Sequence, residues 1–300
     1  MARTDRRLPH NAPGAFYVDS TCIDCDTCRW MAPGTFRRRA EQASVHTQPA
    51  SAEERRRAAM ALVSCPTSSI GVAPDDADAR AAVEDAATAL PDEIAPGVFH
   101  CGHHARSSFG AASYLVVRPE GNVLIDSPRF AAPLVRRIEA LGGVRTMFLT
   151  HCDDVADHAR FRAHFGCDRV LHEGDLTPDT KDVEIVLRGE GDVRLAADLL
   201  AIPTPGHTEG SACLLVADRY LFTGDHLAWS ASLANLYAFR TACWFDWDVQ
   251  TESMRRLAAH QFEWVLPGHG RRCTFPADEM QRRLGECIRW MERPAPDPED

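Results

Sequence analysis

Apolar and polar positions alternate in blocks along most of the chain, and these blocks predict strands and helices in succession. From Pro96 onward, an apolar hairpin over 112–127 precedes a glycine-terminated helix over 136–143. A buried strand over 144–151 and a helix over 154–166 come next. The same reading predicts strands over 168–172, 199–207, 211–225 and 262–270, and amphipathic helices over 248–261 and 277–293. Mixed strands with interspersed helices predict a layered α/β (α+β) protein.

The segment 74–93 interrupts this pattern and predicts a boundary between two domains. It is acidic and rich in alanine, and Pro74 and Pro91 bound it. We therefore expect a short, partly helical linker rather than a packed element. The predicted domains on its two sides are residues 1–73 and 94–300.

Composition describes a soluble globular protein and excludes some functions. The chain has 300 residues, 45% of them hydrophobic, and no apolar run of the length that a membrane helix needs. No secretory signal is recognisable at the N-terminus, so a cytoplasmic protein without a membrane partner is expected. Residues 1–73 carry a formal charge of +3 and the remainder −13, which argues against nucleic-acid binding. The oligomeric state is left open.

Four cysteines near the N-terminus have the spacing of a metal-binding motif. Cys22, Cys25 and Cys28 form C-x2-C-x2-C, and Cys65 follows downstream in a Cys-Pro pair. Eleven cysteines without an export signal argue against a disulfide scaffold. Closely spaced thiolates with a distant fourth are typical of an iron–sulfur site, and a structural zinc site is the alternative.

About residues 14–73 resemble single-cluster bacterial ferredoxins. The resemblance is carried by the three cysteines, the following "MAPGTF" and the late Cys-Pro. It implies a 4Fe-4S cluster, held by Cys22, Cys25, Cys28 and Cys65, that carries one electron at a time. The arginine runs "FRRRA" and "EERRRAAM" are a candidate docking site for an acidic redox partner protein, although the second lies in a helical stretch and a solvated face is its simpler explanation.

Histidines and aspartates recur where predicted strands end in tight turns. "PTPGHTEGS" contains His207, "LFTGDHL" contains Asp225 and "VLPGHGRR" contains His269. The phrase "LTHCDDVADH" adds His151 and several acids after another strand. Four such phrases in this order predict a metal site at one edge of a sheet.

About residues 94–290 resemble the metallo-β-lactamase superfamily. The resemblance implies an αββα sandwich with a mono- or dinuclear metal site. His151 matches the first histidine of the usual H-x-H-x-D-H motif, and His207, Asp225 and His269 match the three later ligands.

The first motif departs from the family pattern. Asp153 stands where the second histidine is expected, and the next two motif positions fall on apolar residues unless two residues are inserted. With that insertion they become Asp157 and His158, in the first turn of the predicted helix. Capping of that helix by Asp153 or Asp154 is an alternative role. An extra carboxylate favours iron or manganese over zinc, so one or two divalent ions of zinc, iron or manganese are expected.

These features lead to one preferred function and two alternatives. The preferred one is a metal-dependent hydrolase of a small-molecule substrate, with Asp225 and Asp157 as candidate catalytic carboxylates and an attached electron-transfer domain. The first alternative is a redox enzyme whose di-iron site the cluster supplies with electrons, either to reduce oxygen or nitric oxide or to oxidise a thiol. The second is a redox sensor with a degraded metal site. Fold alone does not choose among them.

Three further groups of residues are weaker candidates. An aromatic segment after Asp225 suggests a pocket wall or a packed lid, formed by Tyr237, Arg240, Cys243 and Trp244. His226 is a candidate hydrogen-bond partner for the ligands. His103 and His104 are read as exposed loop histidines, with a position at the pocket mouth as the alternative.

Overall fold

The computed structural model describes residues 2–293, and the chain divides into two compact units. The first unit comprises Met1–Thr146 with Ala156–Cys167, and the second comprises Met147–Val155 with Asp168–Asp300. The cysteine-rich segment lies in the first unit together with the beginning of the C-terminal domain predicted from the sequence. The predicted boundaries at residues 73 and 94 remain predictions.

The N-terminal part of the first unit has two small antiparallel sheets and two helices. Its elements are β1 (Phe16–Val18), α1 (Thr27–Met31), β2 (Phe36–Arg39), β3 (Gln42–Val45), α2 (Ala52–Ser64) and β4 (Ile70–Val72). Strand β1 pairs with β4, and β2 pairs with β3. Helix α2 begins at a capping box, in which the Ser51 side chain accepts from the Glu54 N–H and the Glu54 carboxylate accepts from the Ser51 N–H. It ends at Cys65, where Pro66 cannot continue a helix.

The segment predicted as an unpacked linker is in fact a packed helix. Helix α3 (Ala77–Ala89) begins at Asp76, whose side chain accepts from the Ala79 N–H at 2.8 Å. It lies against α2, and Ala79 and Ala86 are buried in the same apolar core. Alanines spaced by seven residues lie on one helix face and allow close approach, which the composition of the segment did not reveal.

The remainder of the first unit is a four-stranded meander with two helices. Strands β5 (Asp92–Ala95), β6 (Val98–His100), β7 (Tyr114–Val116) and β8 (Val123–Ile125) pair antiparallel in sequence order, and helix α4 spans Ala132–Ala140. The strands β7 and β8 form the predicted hairpin. Helix α5 (His158–Phe165) begins four residues later than predicted. A 3-10 turn over Cys152–Asp154 and a positive φ of 29° at Ala156 interrupt the helical pattern before it.

The second unit is built around a six-stranded sheet. Strand β9 (Thr146–Phe148) lies in a different sheet, next to β10 (Asp168–His172), and β10 pairs parallel with β11 (Ile185–Leu187). The six strands, in spatial order, are β12 (Val193–Ala196), β13 (Leu199–Pro203), β14 (Ala212–Val216), β15 (Tyr220–Gly224), β18 (Trp264–Pro267) and β19 (Cys273–Thr274). A separate hairpin joins β16 (Ala228–Ser230) and β17 (Asn235–Tyr237), and the helices are α6 (Trp247–Leu257) and α7 (Ala277–Met291).

The strands and helices of both units confirm the predicted mixed α/β class. Strands β14 and β15 are buried along their whole length, as expected of strands covered on both faces. Helices α6 and α7 contribute Met254, Leu257 and Leu284 to the apolar core of the second unit. Within residues 2–293, no helix has both the length and the hydropathy needed to cross a membrane.

Candidate metal centres

Three ligand candidates lie at one edge of the six-stranded sheet because their strands run in the same direction. Strand β15 pairs parallel with β18, with Gly224 opposite Pro267, so Asp225 and His269 follow neighbouring strand ends. The His269 N–H donates to the Asp225 carboxylate at 3.0 Å. Strand β13 is antiparallel to β14, which is antiparallel to β15, so β13 also ends at this edge and is followed by His207.

Two glycines allow the ligand-bearing turns to approach one another. Gly224 has a positive φ of 49°, and a Cβ there would collide with the hydroxyl oxygen of Thr150. A Cβ on Gly268 would lie 2.6 Å from an Asp154 carboxylate oxygen and 3.1 Å from one of Asp225. The glycines of "FTGD" and "LPGHG" are therefore required by the packing of the site, not only by the turns themselves.

The imidazoles of His151 and His207 are oriented by hydrogen bonds at one nitrogen and leave the other for a ligand. His151 Nδ1 lies 2.9 Å from the Thr150 hydroxyl, and His207 Nδ1 lies 2.5 Å from the Ala242 carbonyl oxygen. The Nε2 atoms of both rings are buried and have no hydrogen-bond partner in the described part of the chain. The ring centroids are 4.7 Å apart. This is the arrangement of histidines that bind a metal through Nε2.

Two sets of donor atoms in the second unit are close enough to hold metal ions. One consists of His151, His207 and Asp225, and the other of Asp154, Asp225 and His269, each with its atoms within 4.8 Å of one another. Asp225 Oδ2 lies 3.9 Å from His151 Nε2 and 3.7 Å from His207 Nε2. Two donors about 2.1 Å from one tetrahedral ion lie about 3.4 Å apart, so these residues fit a bound metal.

Asp154 is a candidate ligand that the sequence analysis assigned only to helix capping. Its side chain is buried, and its Oδ2 lies 3.9 Å from His151 Nε2. It enters the second donor set because the 3-10 turn after His151 carries it inward, opposite Gly268. The doubled aspartate of "HCDDV" was the available signal, but the sequence alone does not show which of the two faces inward.

The other predicted ligands of the first motif lie in different surroundings. Asp153 is half-exposed, and its Oδ2 lies 3.5 Å from His207 Nε2. The Asp157 carboxylate accepts the Phe130 N–H at 2.7 Å, and His158 is buried at the first position of α5. Among residues 2–293, neither donor set includes Asp153, Asp157 or His158. Their assignment as ligands remains a prediction.

The charges in this centre favour a cation. Burial raises the pKa of Asp225, but the neighbouring His269, His151 and His207 outweigh it and hold that pKa below its usual value. The His207 imidazole, whose Nε2 lies 3.5 Å from Asp153 Oδ2, lowers the pKa of Asp153. Burial lowers the pKa of His151, so this imidazole is neutral and available as a ligand at neutral pH. Ionised carboxylates around a neutral imidazole make an electronegative site.

A buried carboxylate that the sequence analysis did not single out connects two ligand-bearing loops. Asp175 accepts hydrogen bonds from the Cys152 N–H at 2.8 Å, the Thr208 hydroxyl at 2.7 Å and the Gly210 N–H at 2.8 Å. Cys152 follows His151 and Thr208 follows His207. Asp175 therefore fixes the loops that carry both histidines, and no periodicity in the sequence identifies it.

The aromatic segment after Asp225 forms a loop beside His207. Its Trp244 and Phe245 N–H groups donate to the His207 carbonyl at 2.9 and 3.1 Å, and the Trp244 side chain is 65% exposed. Arg240 turns away from the ligands, because its guanidinium lies over Trp247 and donates to the Met291 carbonyl. His226 is buried, and burial lowers its pKa to about 3.

The second centre, in the first unit, is formed by the four cysteines of the ferredoxin-like motif. Cys22, Cys25, Cys28 and Cys65 line one cavity. The Ala43 N–H donates to Cys22 Sγ at 3.4 Å, and the Ser69 N–H donates to Cys65 Sγ at 3.3 Å. Burial, together with the charge of neighbouring thiolates, raises the pKa of Cys25 to about 11. Four thiols around one cavity, two buried and two partly exposed, with N–H donors at two sulfurs, fit an iron–sulfur cluster that takes thiolate ligands.

His103 and His104 are not exposed loop residues, as the sequence suggested. Both are buried in the first unit. His104 Nδ1 lies 3.1 Å from the hydroxyl of Thr27, which stands between the cluster ligands Cys25 and Cys28. The loop that carries these histidines is therefore a neighbour of the cysteine centre.

Comparisons with known proteins bear on both parts of the chain. Residues 18–72 match the family model described as the 4Fe-4S single cluster domain of Ferredoxin I. No curated protein sequence matches this chain. The DIM-1 metallo-β-lactamase exposed to ceftazidime is similar in structure, with a TM-score of 0.51 and 17% identity over 66% of this chain and 95% of that one.

A metallo-β-lactamase from Pontibacter korlensis gives a TM-score of 0.50 and 19% identity over 67% of this chain and 98% of that one. At these identities the matches show the fold alone. They confirm the predicted metallo-β-lactamase fold, and the family model confirms the predicted ferredoxin domain.

Proposed function

We propose that this chain, a single-cluster 4Fe-4S ferredoxin domain followed by a metallo-β-lactamase fold, is a metal-dependent hydrolase with a dinuclear centre. The observation that carries the proposal is the position of Asp225, which belongs to both donor sets. A carboxylate common to two sets of ligands is the arrangement by which two ions are held as a pair. The substrate class is an ester, a thioester or a phosphodiester of a small molecule.

Each ligand residue has a separate part in this chemistry. His151 and His207 present Nε2 while Thr150 and Ala242 hold their Nδ1 atoms, so the rings keep one orientation during turnover. His269 positions Asp225 through both its backbone N–H and Nδ1, the latter 2.8 Å from Oδ2. Bound ions would lower the pKa of water toward neutrality and polarise the scissile carbonyl or phosphoryl group.

The solvent side of the centre is where a substrate would enter. Asp153 is half-exposed and ionised at neutral pH, so it adds negative charge at the open side of His207. Trp244 is exposed, with its ring centroid 6.1 Å from that of His207. Its indole offers an apolar surface for the part of a substrate that does not react.

The test is hydrolysis by protein of defined metal content. The anaerobically purified protein is analysed for iron, zinc and manganese, stripped of divalent ions and reloaded with each. It is then assayed on p-nitrophenyl acetate, an aryl thioester and bis(p-nitrophenyl) phosphate. Asp225→Asn should remove two ions per chain and reduce turnover by more than about 100-fold, because both donor sets lose a charged ligand.

The exposed carboxylate Asp179 provides the matched control, and Asp179→Asn should leave metal content and turnover unchanged. Absence of hydrolysis with every metal, in protein shown to hold two ions, would overturn the proposal.

A redox enzyme is the second candidate, and the donor types favour it. Two histidines and one carboxylate form the set His151, His207 and Asp225, a combination typical of non-haem iron(II) sites. Asp153 and Asp154 add further oxygen donors, and an electron-carrying domain precedes the fold. This function predicts about six irons per chain, four from the cluster and two from the centre, and oxidation of the reduced protein by oxygen or nitric oxide.

The two functions differ in which metals support turnover. A hydrolase works with zinc and with the cluster in one oxidation state, whereas the redox enzyme requires iron and repeated reduction of the cluster. If fully loaded protein shows neither activity, the redox sensor becomes the favoured function. Reduction of the cluster by an added acidic electron-transfer protein, weakened when the arginines of the two runs are replaced, would support these runs as the docking site for a redox partner.

A further inference from the structure

The loop between β6 and β7, residues 101–113, lies outside the segment that matches the ferredoxin family yet touches a cluster cysteine. Gly110 of this loop has a positive φ of 90°. A Cβ on Gly110 would lie 3.0 Å from Cys25 Cβ, 3.1 Å from Cys25 Sγ and 3.1 Å from a ring carbon of Pro66. The loop backbone therefore lies directly against a cluster ligand and against the proline that follows Cys65.

A buried hydrogen-bond network joins the same loop to the ligand turn. Cys25 Sγ lies 3.4 Å from the Thr27 hydroxyl, which is 3.1 Å from His104 Nδ1 and 3.3 Å from the Gly110 carbonyl oxygen. His104 Nδ1 is 2.7 Å from that carbonyl. Since a carbonyl only accepts, His104 Nδ1 carries a proton and donates it. The backbone N–H of His104 donates to the carbonyl of Ser64, the residue before Cys65, at 3.3 Å.

Arg129, which follows β8 in the sequence, contacts the C-terminal end of α2, next to Ser64. The Arg129 N–H donates to the His103 carbonyl at 2.8 Å, and its Nη2 donates to the Val63 carbonyl at 3.1 Å. Arg129 Nε is buried without a hydrogen-bond partner among residues 2–293. Burial lowers the pKa of Arg129, while negative charge on Cys65 and Asp157 opposes that change. The guanidinium stays charged at neutral pH.

We propose that the 101–113 loop and Arg129 complete the cluster-binding site, and that the charge of Arg129 raises the reduction potential of the cluster. Reduction adds one negative charge to the cluster and its four thiolates. A partly buried cation at the Val63 carbonyl, two residues before Cys65, stabilises the reduced form more than the oxidised form. The loop covers the Cys25 side and keeps water from it. This inference holds whether the metal centre hydrolyses a substrate or reduces one.

The charge is tested by the potential of the full-length protein. The variants Arg129→Gln and Arg129→Lys are compared with Arg57→Gln, whose guanidinium lies on the exposed face of α2 and pairs with Glu53 at 2.9 Å. The midpoint potential is measured by anaerobic redox titration, with the reduced cluster followed by EPR and cluster content by iron and sulfide analysis.

Arg129→Gln should shift the potential to more negative values, and Arg129→Lys should lie close to wild type. Arg57→Gln should change it little, because solvent and salt screen an exposed charge. Equal potentials for Arg129→Gln and Arg57→Gln, at full cluster content, would overturn the role of the charge.

The loop is tested independently of charge by two glycine variants. In Gly110→Ala the new methyl group would lie only 3.0–3.1 Å from Cys25, so the neighbours must move slightly, and the positive φ adds strain; a Cβ on Gly34 meets nothing within 4 Å. The cluster absorbance is followed in air. Gly110→Ala should lose it several times faster than wild type, and Gly34→Ala at the wild-type rate. Equal rates in the two variants would show that the loop is not part of the cluster site.

Discussion

The two metal-binding regions of this chain are assembled in different ways. Three of the four cluster cysteines lie within residues 22–28, and the fourth follows the end of one helix. The candidate divalent metal centre has its donor atoms at four strand ends between His151 and His269. A local motif carries its geometry in its spacing, so it is readable from sequence. A centre assembled from distant turns depends on strand direction and on how each turn is folded.

The two regions also neutralise charge differently. The cysteine sulfurs accept N–H groups from Ala43 and Ser69, and Arg129 donates to the Val63 carbonyl, two residues before Cys65. The divalent centre collects carboxylates instead, and its polar contacts come from aspartates and histidines. A thiolate cluster is already anionic and gains from donors and cations, whereas a divalent cation requires negative ligands. Substitutions in the two regions should therefore act independently.

The largest expected effect is loss of one metal group with retention of the other. Cys28→Ala removes a buried cluster ligand, so the iron–sulfur absorbance should be absent. The divalent ions should remain, because both donor sets belong to the second unit. Visible spectra and metal analysis check both outcomes on one sample. Loss of the divalent ions in Cys28→Ala would contradict the independence of the two regions.

The second prediction distinguishes two aspartates of the first motif. Asp154→Ala should weaken binding of one divalent ion by more than about 100-fold, because its carboxylate belongs to a donor set. Asp157→Ala should retain both ions and lower the free energy of unfolding by about 1 kcal/mol, because it removes the acceptor for the Phe130 N–H. Competition with a chromophoric chelator measures the affinity. The reverse result would support the ligand assignment made from the sequence.

A smaller effect is expected at the carboxylate that holds two ligand loops. Asp175→Asn keeps the side-chain size but replaces one accepting oxygen by a donor, so the bonds to Cys152, Thr208 and Gly210 cannot all be kept. Metal affinity should fall by about 10- to 100-fold, while the cluster is unaffected. Asp179→Asn is the exposed control. An unchanged affinity in Asp175→Asn would mean that the loops hold their positions without it.

The smallest effect concerns helix capping in each region. Ser51→Ala removes the N-terminal cap of α2, and Asp246→Ala removes the cap of α6, where the carboxylate accepts the Val249 N–H at 2.9 Å. Each should lower the free energy of unfolding by about 1 kcal/mol. Chemical denaturation measures it, and Ser51→Asp, which keeps an acceptor, should recover the loss. Loss of bound metal from either variant while it is still folded would indicate that the capping residue has a direct role in a metal centre.

Much of the fold could be predicted because its signals are local. The hairpin around residues 112–127 and the amphipathic helices over 248–261 and 277–293 follow from periodicity, and the structure contains them as β7–β8, α6 and α7. The linker prediction was wrong because alanine is equally compatible with an exposed and a closely packed helix. The start of α5 was missed because a 3-10 turn and a backbone reversal at Ala156 leave no periodic signal.

The candidate site was predictable only where a glycine turn marks the ligand. His207, Asp225 and His269 follow such turns, and the structure brings all three to one edge of the sheet. Asp154 and Asp175 carry no such mark. The same local sequence around a loop aspartate is compatible with three roles: capping a helix, hydrogen-bonding to another loop, or binding a metal. Only the residue's neighbours in space distinguish these roles.

By itself, the sequence determined the iron–sulfur motif, the mixed α/β class and the order of the ligand-bearing turns. These depend on spacing and periodicity over a few residues. Only the tertiary structure decided that Asp154 faces Asp225 and His269, that Gly110 packs against Cys25 and that Arg129 reaches the Val63 carbonyl. The reason is that a side chain becomes a ligand or a neighbour through strand direction and close packing between distant segments, which local sequence does not encode.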